Sequence, residues 1–278
     1  MVSLPPYATT GVGSLPHADP VAAVRHVVRA YDVPFCPQLP RAEGDMVREW
    51  LGGEPPACGW SPDRDRERPA AWDAFVAAVR AAPPAHGLVK LQVTGPATLA
   101  TALEGPGDAG LAREIATWLA ANAAGQVRRL QELSLGVILL VDEPGLASAR
   151  VTDPDVWGPL RLTGASAWGL HVCGPVPWSL VDALEPGVVS FDLTRHGLGA
   201  DGAAVLRRVV ERGGRIAWGA APAAAARLAA AVDSLGPPAG QVAATSLVTP
   251  PCGTGLLSVA DEELIAARLS SLRPSPPG

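Results

Sequence analysis

Lysine is nearly absent from this 278-residue chain, in which Lys90 is the only one and arginine carries the remaining basic charge. The formal net charge is −5 and no basic cluster occurs, which argues against nucleic acid as the main partner. No apolar run is long and charge-free enough to cross a bilayer, so we expect no membrane association. The first residues, Met1 to Pro6, lack the basic and apolar regions of an export signal. These absences predict a cytoplasmic protein.

Cysteine is also scarce, with four residues in the whole chain. Four cysteines in a long chain of cytosolic type do not make a disulfide framework, so metal binding, catalysis or burial is the better explanation for each. Cys36 and Cys58 have no histidine at ligand spacing, and Cys36 is interpreted as a core residue. Cys173 and Cys252 differ from them, because each follows an apolar run and His171 stands two residues before Cys173.

Short apolar segments alternate with Ala- and Leu-rich helical stretches along the chain. Eight such segments end in glycine, proline or polar residues: Tyr7–Gly13, Val33–Leu39, Leu88–Val93, Val137–Val141, Ala167–Val172, Val188–Phe191, Arg215–Trp218 and Ala243–Val248. Strands that alternate with helices pair in parallel through right-handed crossovers. Eight repeats predict a single α/β domain folded as a (β/α)8 TIM barrel, with an open doubly wound sheet as the alternative.

We expect residues 1–272 to form this barrel, because no low-complexity linker and no repeat of solenoid length interrupts them. The segment Pro40–Asp65 is rich in proline, glycine and charge, and it is predicted to be an insertion after the second strand. Residues 273–278 are predicted to be a disordered tail.

The predicted strand ends carry the candidate metal ligands, and a barrel builds its active site at the C-terminal ends of its strands. His171 and Cys173 are two residues apart on one strand, so their side chains share a face. Cys252 follows the eighth segment and Asp192 the sixth. Together the four residues supply the N, S, S and O donors that zinc accepts. The alternative is a satisfied core histidine with two inert buried thiols.

Two further strand ends are candidates for substrate binding. Asp142 and Glu143 end a strongly apolar strand and point to opposite sides, so one of them faces the pocket, where it could bind an ammonium group or act as an acid or base. Alternatively, Asp142 is a helix N-cap with Pro144 in the first turn. The turn at Gly13 and Ser14 could offer backbone N–H groups to a carboxylate.

Six short motifs, spread over nearly the whole chain, fit one known family. They are TTGVGSLP from Thr9, GDMV from Gly44, TGPATL from Thr94, VDEP from Val141, HVCG from His171 and PCG from Pro251. With these motifs the chain resembles the C-terminal catalytic barrel of cobalamin-independent methionine synthase, within the wider group that includes uroporphyrinogen decarboxylase and corrinoid-linked methyltransferases. The last three motifs are the most specific.

The resemblance implies a zinc site that binds the thiol of homocysteine. In the family, the His-x-Cys pair and the late cysteine bind zinc with a glutamate from the intervening strand, and homocysteine binds the metal through sulfur. By resemblance, His171, Cys173 and Cys252 are zinc ligands and catalytic residues here. Asp192 stands where the family's glutamate would be.

The resemblance also implies how the amino-acid part of homocysteine is held. Asp142 looks like the carboxylate that binds the amino group, with Gly13 and Ser14 near the substrate carboxylate. Glu143 is a further substrate-binding candidate. The family also places a carboxylate before its Asp-Met-Val stretch, for which Glu43 is only an approximate substitute.

The residues expected around the methyl donor depart from the family. After the TGPATL motif the family carries a tryptophan against which the pterin packs, and here Ala100 to Ala102 offer no aromatic ring. The seventh strand lacks the family's proton-donating histidine. A folate donor needs an acid for its amine leaving group, whereas a methylcorrinoid releases cob(I)alamin without one. We therefore expect a short core form of methionine synthase whose donor is methylcobalamin or a corrinoid protein.

Two other functions stay open at this point. A decarboxylase of the uroporphyrinogen type would be free of metal and would have an arginine-rich pocket for substrate carboxylates. A barrel that binds zinc or thiols without catalysis would fit the missing donor residues.

Overall fold

Seven parallel strands form the single sheet of the computed structural model, which describes residues 4–52, 69–237 and 239–272. They are β1 (Ala8–Thr9), β2 (Leu88–Thr94), β3 (Gly136–Asp142), β4 (Ala167–Val172), β5 (Val188–Asp192), β6 (Arg215–Gly219) and β7 (Ser246–Thr249). The strand order is β1-β7-β6-β5-β4-β3-β2, so β2 to β7 lie side by side in chain order and β1 pairs with β7. This α/β order, with every pair parallel, is that of a barrel wall.

Helices follow the strands and cover the outside of the sheet. Within the described residues they are α1 (Pro20–Ala30), α2 (Pro40–Glu43), α3 (Met46–Leu51), α4 (Trp72–Ala81), α5 (Pro96–Glu104), α6 (Ala109–Gln131), α7 (Leu146–Ala149), α8 (Gly158–Arg161), α9 (Trp178–Leu184), α10 (Leu193–His196), α11 (Ala200–Glu211), α12 (Ala225–Ser234), α13 (Ala239–Thr245) and α14 (Val259–Leu269). Short 3-10 turns occur at Pro154–Trp157, Pro222–Ala224 and Ser270–Leu272. None of the helices described is long and apolar enough to cross a membrane.

The prediction of eight regular strands was wrong by one, because Val33–Leu39 does not form a continuous strand. This segment instead makes single parallel bridges, between Phe35 and Lys90 on one side and between Gln38 and Ser14 on the other. Pro34 and Pro37 explain the interruption, since proline has no N–H to donate to a neighbouring strand.

The interrupted segment nevertheless touches both edges of the sheet. The Val33 N–H donates to the carbonyl of Thr9, the last residue of β1, and the Cys36 N–H donates to the Lys90 carbonyl on β2. We call residues 33–38 the seam. The seam lies between the first and second regular strands and so joins the two edges of the curled sheet.

The interior of the sheet becomes polar toward the C-terminal ends of the strands. One cluster of buried apolar side chains fills the interior on the side of the N-terminal ends of the strands: Leu4, Ala8, Val33, Leu88, Ile138, Leu140, Val188, Ala217 and Leu247. Residues two apart on a strand share a face, so the inward positions of β3 continue from Leu140 to Asp142, and those of β5 from Val188 to Asp192. The functional groups are therefore carried on an apolar base.

The predicted insertion lies partly within the described residues. Residues 40–52 contain the two short helices α2 and α3, whereas 53–68 lie outside the described residues, as do Cys58 and the predicted tail at 273–278. The remaining strand predictions differ from the structure mainly at their ends. The largest shifts are in the first strand, which ends at Thr9 rather than Gly13, and in the last, where α13 takes Ala243 to Thr245 and β7 begins at Ser246.

Candidate functional site

A cavity of about 250 Å³ opens at the C-terminal ends of the strands. Its walls are mostly apolar and come from the loops after β1, the seam, β3, β4 and β7. The lining residues are Val12, Ser14, Gln38, Pro40, Asp45, Met46, Asp142, Pro144, His171, Cys173, Cys252, Gly253, Gly255 and Leu256. Five of the sequence-predicted site residues (Ser14, Asp142, His171, Cys173 and Cys252) therefore meet in one pocket.

His171, Cys173 and Cys252 form the His–Cys–Cys cluster at one side of this pocket. The Nε2 atom of His171 lies 2.7 Å from the Cys173 sulfur, which lies 3.2 Å from the Cys252 sulfur. The other ring nitrogen, Nδ1, lies 2.8 Å from the hydroxyl oxygen of Ser190 on the neighbouring strand. Because that contact fixes the ring plane, Nε2 is presented to the two sulfurs.

The two thiols of the cluster share their protons unequally. The pKa of Cys252 is lowered to about 4, mainly by the hydrogen bond from Cys173 and next by the hydrogen bond with His171. The same hydrogen bond and burial raise the pKa of Cys173. Cys252 is thus the more ready of the two to be a thiolate, which is the form of cysteine that binds metals.

The donor types of the cluster suit zinc, but their spacing is that of hydrogen bonds. Two sulfurs on a tetrahedral zinc ion are about 3.7 Å apart and a nitrogen and a sulfur about 3.5 Å apart. The observed 3.2 Å and 2.7 Å separations are shorter. Accordingly, the described side chains contain no ready-made group of three or more metal ligands. Each of the two separations would have to increase by less than about 1 Å to match those around a zinc ion.

Asp142 lies beside the cluster and faces the pocket. It is in register with His171 across β3 and β4 and is 4% exposed. Its Oδ1 atom is buried and has no hydrogen-bond partner among the described residues. Burial raises the pKa of its carboxyl to about 6, although the charges of His171 and Lys90 act to lower it. A buried carboxylate oxygen without a partner favours a cationic ligand.

Asp192, the predicted fourth zinc ligand, is near the cluster but is engaged elsewhere. Its Oδ1 atom accepts a hydrogen bond of 2.8 Å from the Arg195 N–H, which caps the short helix α10. Its charge contributes to raising the pKa of Cys173. It does not line the cavity, so the structure brings together three of the four predicted ligands.

Glu143 points to the opposite side of the strand end from Asp142. Its side chain is fully buried and accepts hydrogen bonds from the Ala97 N–H, from the N–H and hydroxyl of Thr98, and from the Trp157 indole. Glu143 therefore holds the N-terminus of α5 and lies outside the pocket. Gly95 makes room for it, because a Cβ atom there would lie 2.0 Å from the Glu143 carboxyl carbon.

The Gly13–Ser14 turn is packed tightly against the loop after β7. Ser14 accepts a hydrogen bond at its carbonyl from the Thr254 N–H, at 3.0 Å. A Cβ atom on Gly253 would lie 2.1 Å from the Ser14 hydroxyl, and one on Gly13 would lie 2.9 Å from the Gln38 amide oxygen. Glycine at both places lets the two loops and the seam meet.

Glu43 lies at the end of α2 and does not line the pocket. One of its carboxylate oxygens accepts a hydrogen bond of 2.7 Å from the Ala70 N–H. Glu49 of α3 is a buried carboxylate that accepts a 2.6 Å hydrogen bond from Gln38, a residue of the pocket wall. Helical spacing from Asp45, the N-cap of α3, could have indicated that Glu49 faces inward.

Sequence reasoning assigned no role to several residues that shape the site. Ser190 is on the inward face of β5, two residues before Asp192, and that spacing was a usable signal for its contact with His171. Met46, at the start of α3, and Leu256, in the loop after β7, also line the pocket, and their local sequences carry no such signal. His196 lies at the rim, where Nε2 is 2.9 Å from the Cys173 carbonyl oxygen.

Comparison with known proteins identifies solved structures that share this fold. The sequence matches no family model and no curated protein. Among solved structures, a B12-independent methionine synthase from Shewanella sp. W3-18-1, in complex with selenomethionine, superposes with a TM-score of 0.67 over 96% of both chains at 14% identity. A methyltransferase from Methanosarcina mazei superposes with a TM-score of 0.55, at 12% identity, over 97% of this chain and 94% of that one. The shared feature is the fold.

Proposed function

We propose that this chain is a zinc-dependent methyltransferase that moves a methyl group to the thiol of homocysteine and so makes methionine. The observation that carries the proposal is one pocket that holds an imidazole–thiol–thiol cluster and, beside it, a buried carboxylate oxygen without a partner. These two features suit the two ends of an amino-acid thiol. The fold shared with a methionine synthase and a methyltransferase supports the assignment.

In this proposal His171, Cys173 and Cys252 hold the zinc ion through Nε2 and the two sulfurs. When bound there, zinc lowers the pKa of a coordinated thiol and holds the thiolate at neutral pH. Ser190 keeps the imidazole oriented through Nδ1, as partners of metal-binding histidines commonly do. Asp192 remains the proposed fourth ligand, and it could bind through Oδ2 while Oδ1 keeps its hydrogen bond from the Arg195 N–H.

The amino-acid part of the acceptor binds through charge and backbone contacts. Asp142 accepts hydrogen bonds from the ammonium group, which satisfies its unpaired Oδ1. The turn at Gly13 and Ser14 offers N–H groups to the carboxylate. Apolar walls such as Val12 and Met46 contact the methylene groups and exclude water from the sulfur.

The reaction is a displacement at the methyl carbon. The thiol of the acceptor would give up its proton to bulk water on binding, and the thiolate sulfur would then attack the methyl carbon of the donor. The new S–C bond would form as the bond from methyl to the donor breaks, and the electron pair of that bond would leave with the donor, which for a methylcorrinoid is cob(I)alamin. No proton has to be delivered to this leaving group.

A methylcorrinoid, free or carried by a corrinoid protein, is the donor we propose. None of the described residues that line the pocket is phenylalanine, tyrosine or tryptophan, and the His171 ring is already held in the His–Cys–Cys cluster, so the described walls offer no free aromatic surface for a pterin. None of those lining residues is arginine, which disfavours the decarboxylase alternative with its clustered substrate carboxylates.

Turnover assays with zinc-loaded protein test the proposal. We expect methionine to form from homocysteine and methylcobalamin, and Cys252→Ser to abolish its formation. Cys36→Ala is the matched control, because Cys36 is a buried thiol outside the pocket, and it should retain the activity. Methionine formation from methyltetrahydrofolate alone would contradict the corrinoid donor. No methionine from either donor would contradict the proposed reaction.

A further inference from the structure

Lys90, on β2, is a fully buried lysine. Its ammonium donates to the Val12 carbonyl and to the Gln92 side-chain oxygen, both at 2.7 Å, and it lies 5.2 Å from the centre of the Phe35 ring. Both acceptors are neutral. Burying an ammonium group costs several kcal/mol unless it is well compensated, and a methionine would fill similar space without that cost. The nearby charge of Asp142 offsets part of that cost, and the cost that remains points to a role for the ammonium beyond packing.

The contact with Val12 controls the direction of one peptide group. The described residues contain no cis peptide bond, so the N–H of Gly13 points opposite to the Val12 carbonyl within the same peptide plane. Because Lys90 holds that carbonyl toward the barrel interior, the Gly13 N–H points away from the interior. Val12 and Ser14, on either side of Gly13, both line the pocket.

The Gly13 N–H is available for a ligand. Among the described residues no acceptor binds it, whereas the Gly13 carbonyl accepts from the Gln38 N–H at 3.0 Å. A hydrogen bond from an ammonium group to a carbonyl also polarises the peptide, which makes its N–H a stronger donor.

We propose that Lys90 is a positioning residue that turns the Gly13 N–H toward the pocket to bind the carboxylate of the acceptor. The inference rests on the proposed function, since it concerns the carboxylate of the same amino-acid thiol. Lys90 itself does not touch the ligand. Burial lowers the pKa of Lys90 to about 8, partly offset by the charge of Asp142, so the ammonium is charged at neutral pH.

The test compares homocysteine with 3-aminopropane-1-thiol, which is the same molecule without its carboxylate. Dissociation constants for both thiols are measured by calorimetry on zinc-loaded wild type, Lys90→Met and Gln92→Leu. In Lys90→Met we expect homocysteine to bind about 10-fold more weakly and the aminothiol to bind unchanged, as for one lost hydrogen bond to a charged group. Gln92→Leu is the control, because it removes a neighbouring polar contact and leaves the Lys90–Val12 hydrogen bond in place.

The outcomes separate this inference from the proposed function. If Lys90→Met weakens both thiols equally, or neither, Lys90 is a structural residue and the inference is wrong while the proposed function stands. If wild type binds neither thiol, both are wrong. If Lys90→Met does not fold, Lys90→Gln takes its place in the test. The glutamine side chain is neutral and one bond shorter than that of lysine, and its amide can still form a hydrogen bond with Gln92. It should show the same selective loss of homocysteine affinity.

Discussion

Replacing Asp142 with asparagine should stabilise the protein and weaken binding of the acceptor at the same time. The carboxyl is buried, and its pKa of about 6 lies above the usual value of 3.8. A carboxyl whose pKa is raised on folding contributes stability below its unfolded pKa and loses it as pH rises through the folded pKa. The ionised form therefore costs up to about 3 kcal/mol at neutral pH, a cost that asparagine does not carry.

Urea unfolding at several pH values measures this effect. We expect Asp142→Asn to exceed wild type in unfolding free energy by up to about 3 kcal/mol above pH 7, and the difference to shrink as pH falls from about 6 to about 4. The measurement uses zinc-free protein, so that only folding is compared. A variant that is less stable than wild type at pH 7.5 would refute the assignment of a strained, unpaired carboxylate.

Binding by the same variant supplies the second half of the test. Loss of a charge-assisted hydrogen bond to the ammonium should raise the Kd of homocysteine about 10- to 100-fold. The matched ligand is 4-sulfanylbutanoate, which lacks the amino group and should bind wild type and variant alike. Equal weakening of both ligands would show that Asp142 does not bind the amino group.

Three further substitutions test individual parts of the site. Glu143→Gln should lower the unfolding free energy by about 1–3 kcal/mol, because it places an amide NH2 group against donors such as the Thr98 N–H. The KM of homocysteine should not change. A raised KM with normal stability would indicate instead that Glu143 binds the substrate. Gly95→Ala should abolish soluble folded protein, since its Cβ would overlap the Glu143 carboxyl, and a Tm near that of wild type would contradict this packing. Ser190→Ala should weaken zinc binding about 10-fold by freeing Nδ1 of the histidine, measured by competition with a chelator, and unchanged affinity would contradict its orienting role.

The sequence was most informative where strand periodicity and strand ends determine the position of a side chain. His171 is on β4 and Cys173 directly follows its last residue, and the spacing of two alone placed them on one face. Asp142 and Glu143 are adjacent, and the structure places one in the pocket and the other in a helix cap, as alternation requires. Helix α1 begins at Pro20 after the N-cap Asp19, and both residue types are strong N-terminal signals in a sequence.

Features that depend on tertiary contacts could not be predicted in the same way. Pro34 and Pro37 were visible in the sequence, yet the prediction gave the apolar run priority over the missing N–H groups. Asp192 caps α10 through Oδ1, and only the position of α10 reveals that contact. The Lys90–Val12 contact joins residues 78 positions apart, beyond the reach of any local pattern.

Zinc content is the measurement that tests the central claim most directly. We expect about one zinc ion per chain in wild-type protein and in Cys36→Ala after zinc loading and removal of free metal. His171→Ala and Cys252→Ser should retain far less than one, since each removes a proposed ligand at the pocket. Stoichiometric zinc in both cluster variants, or none in wild type, would contradict the account.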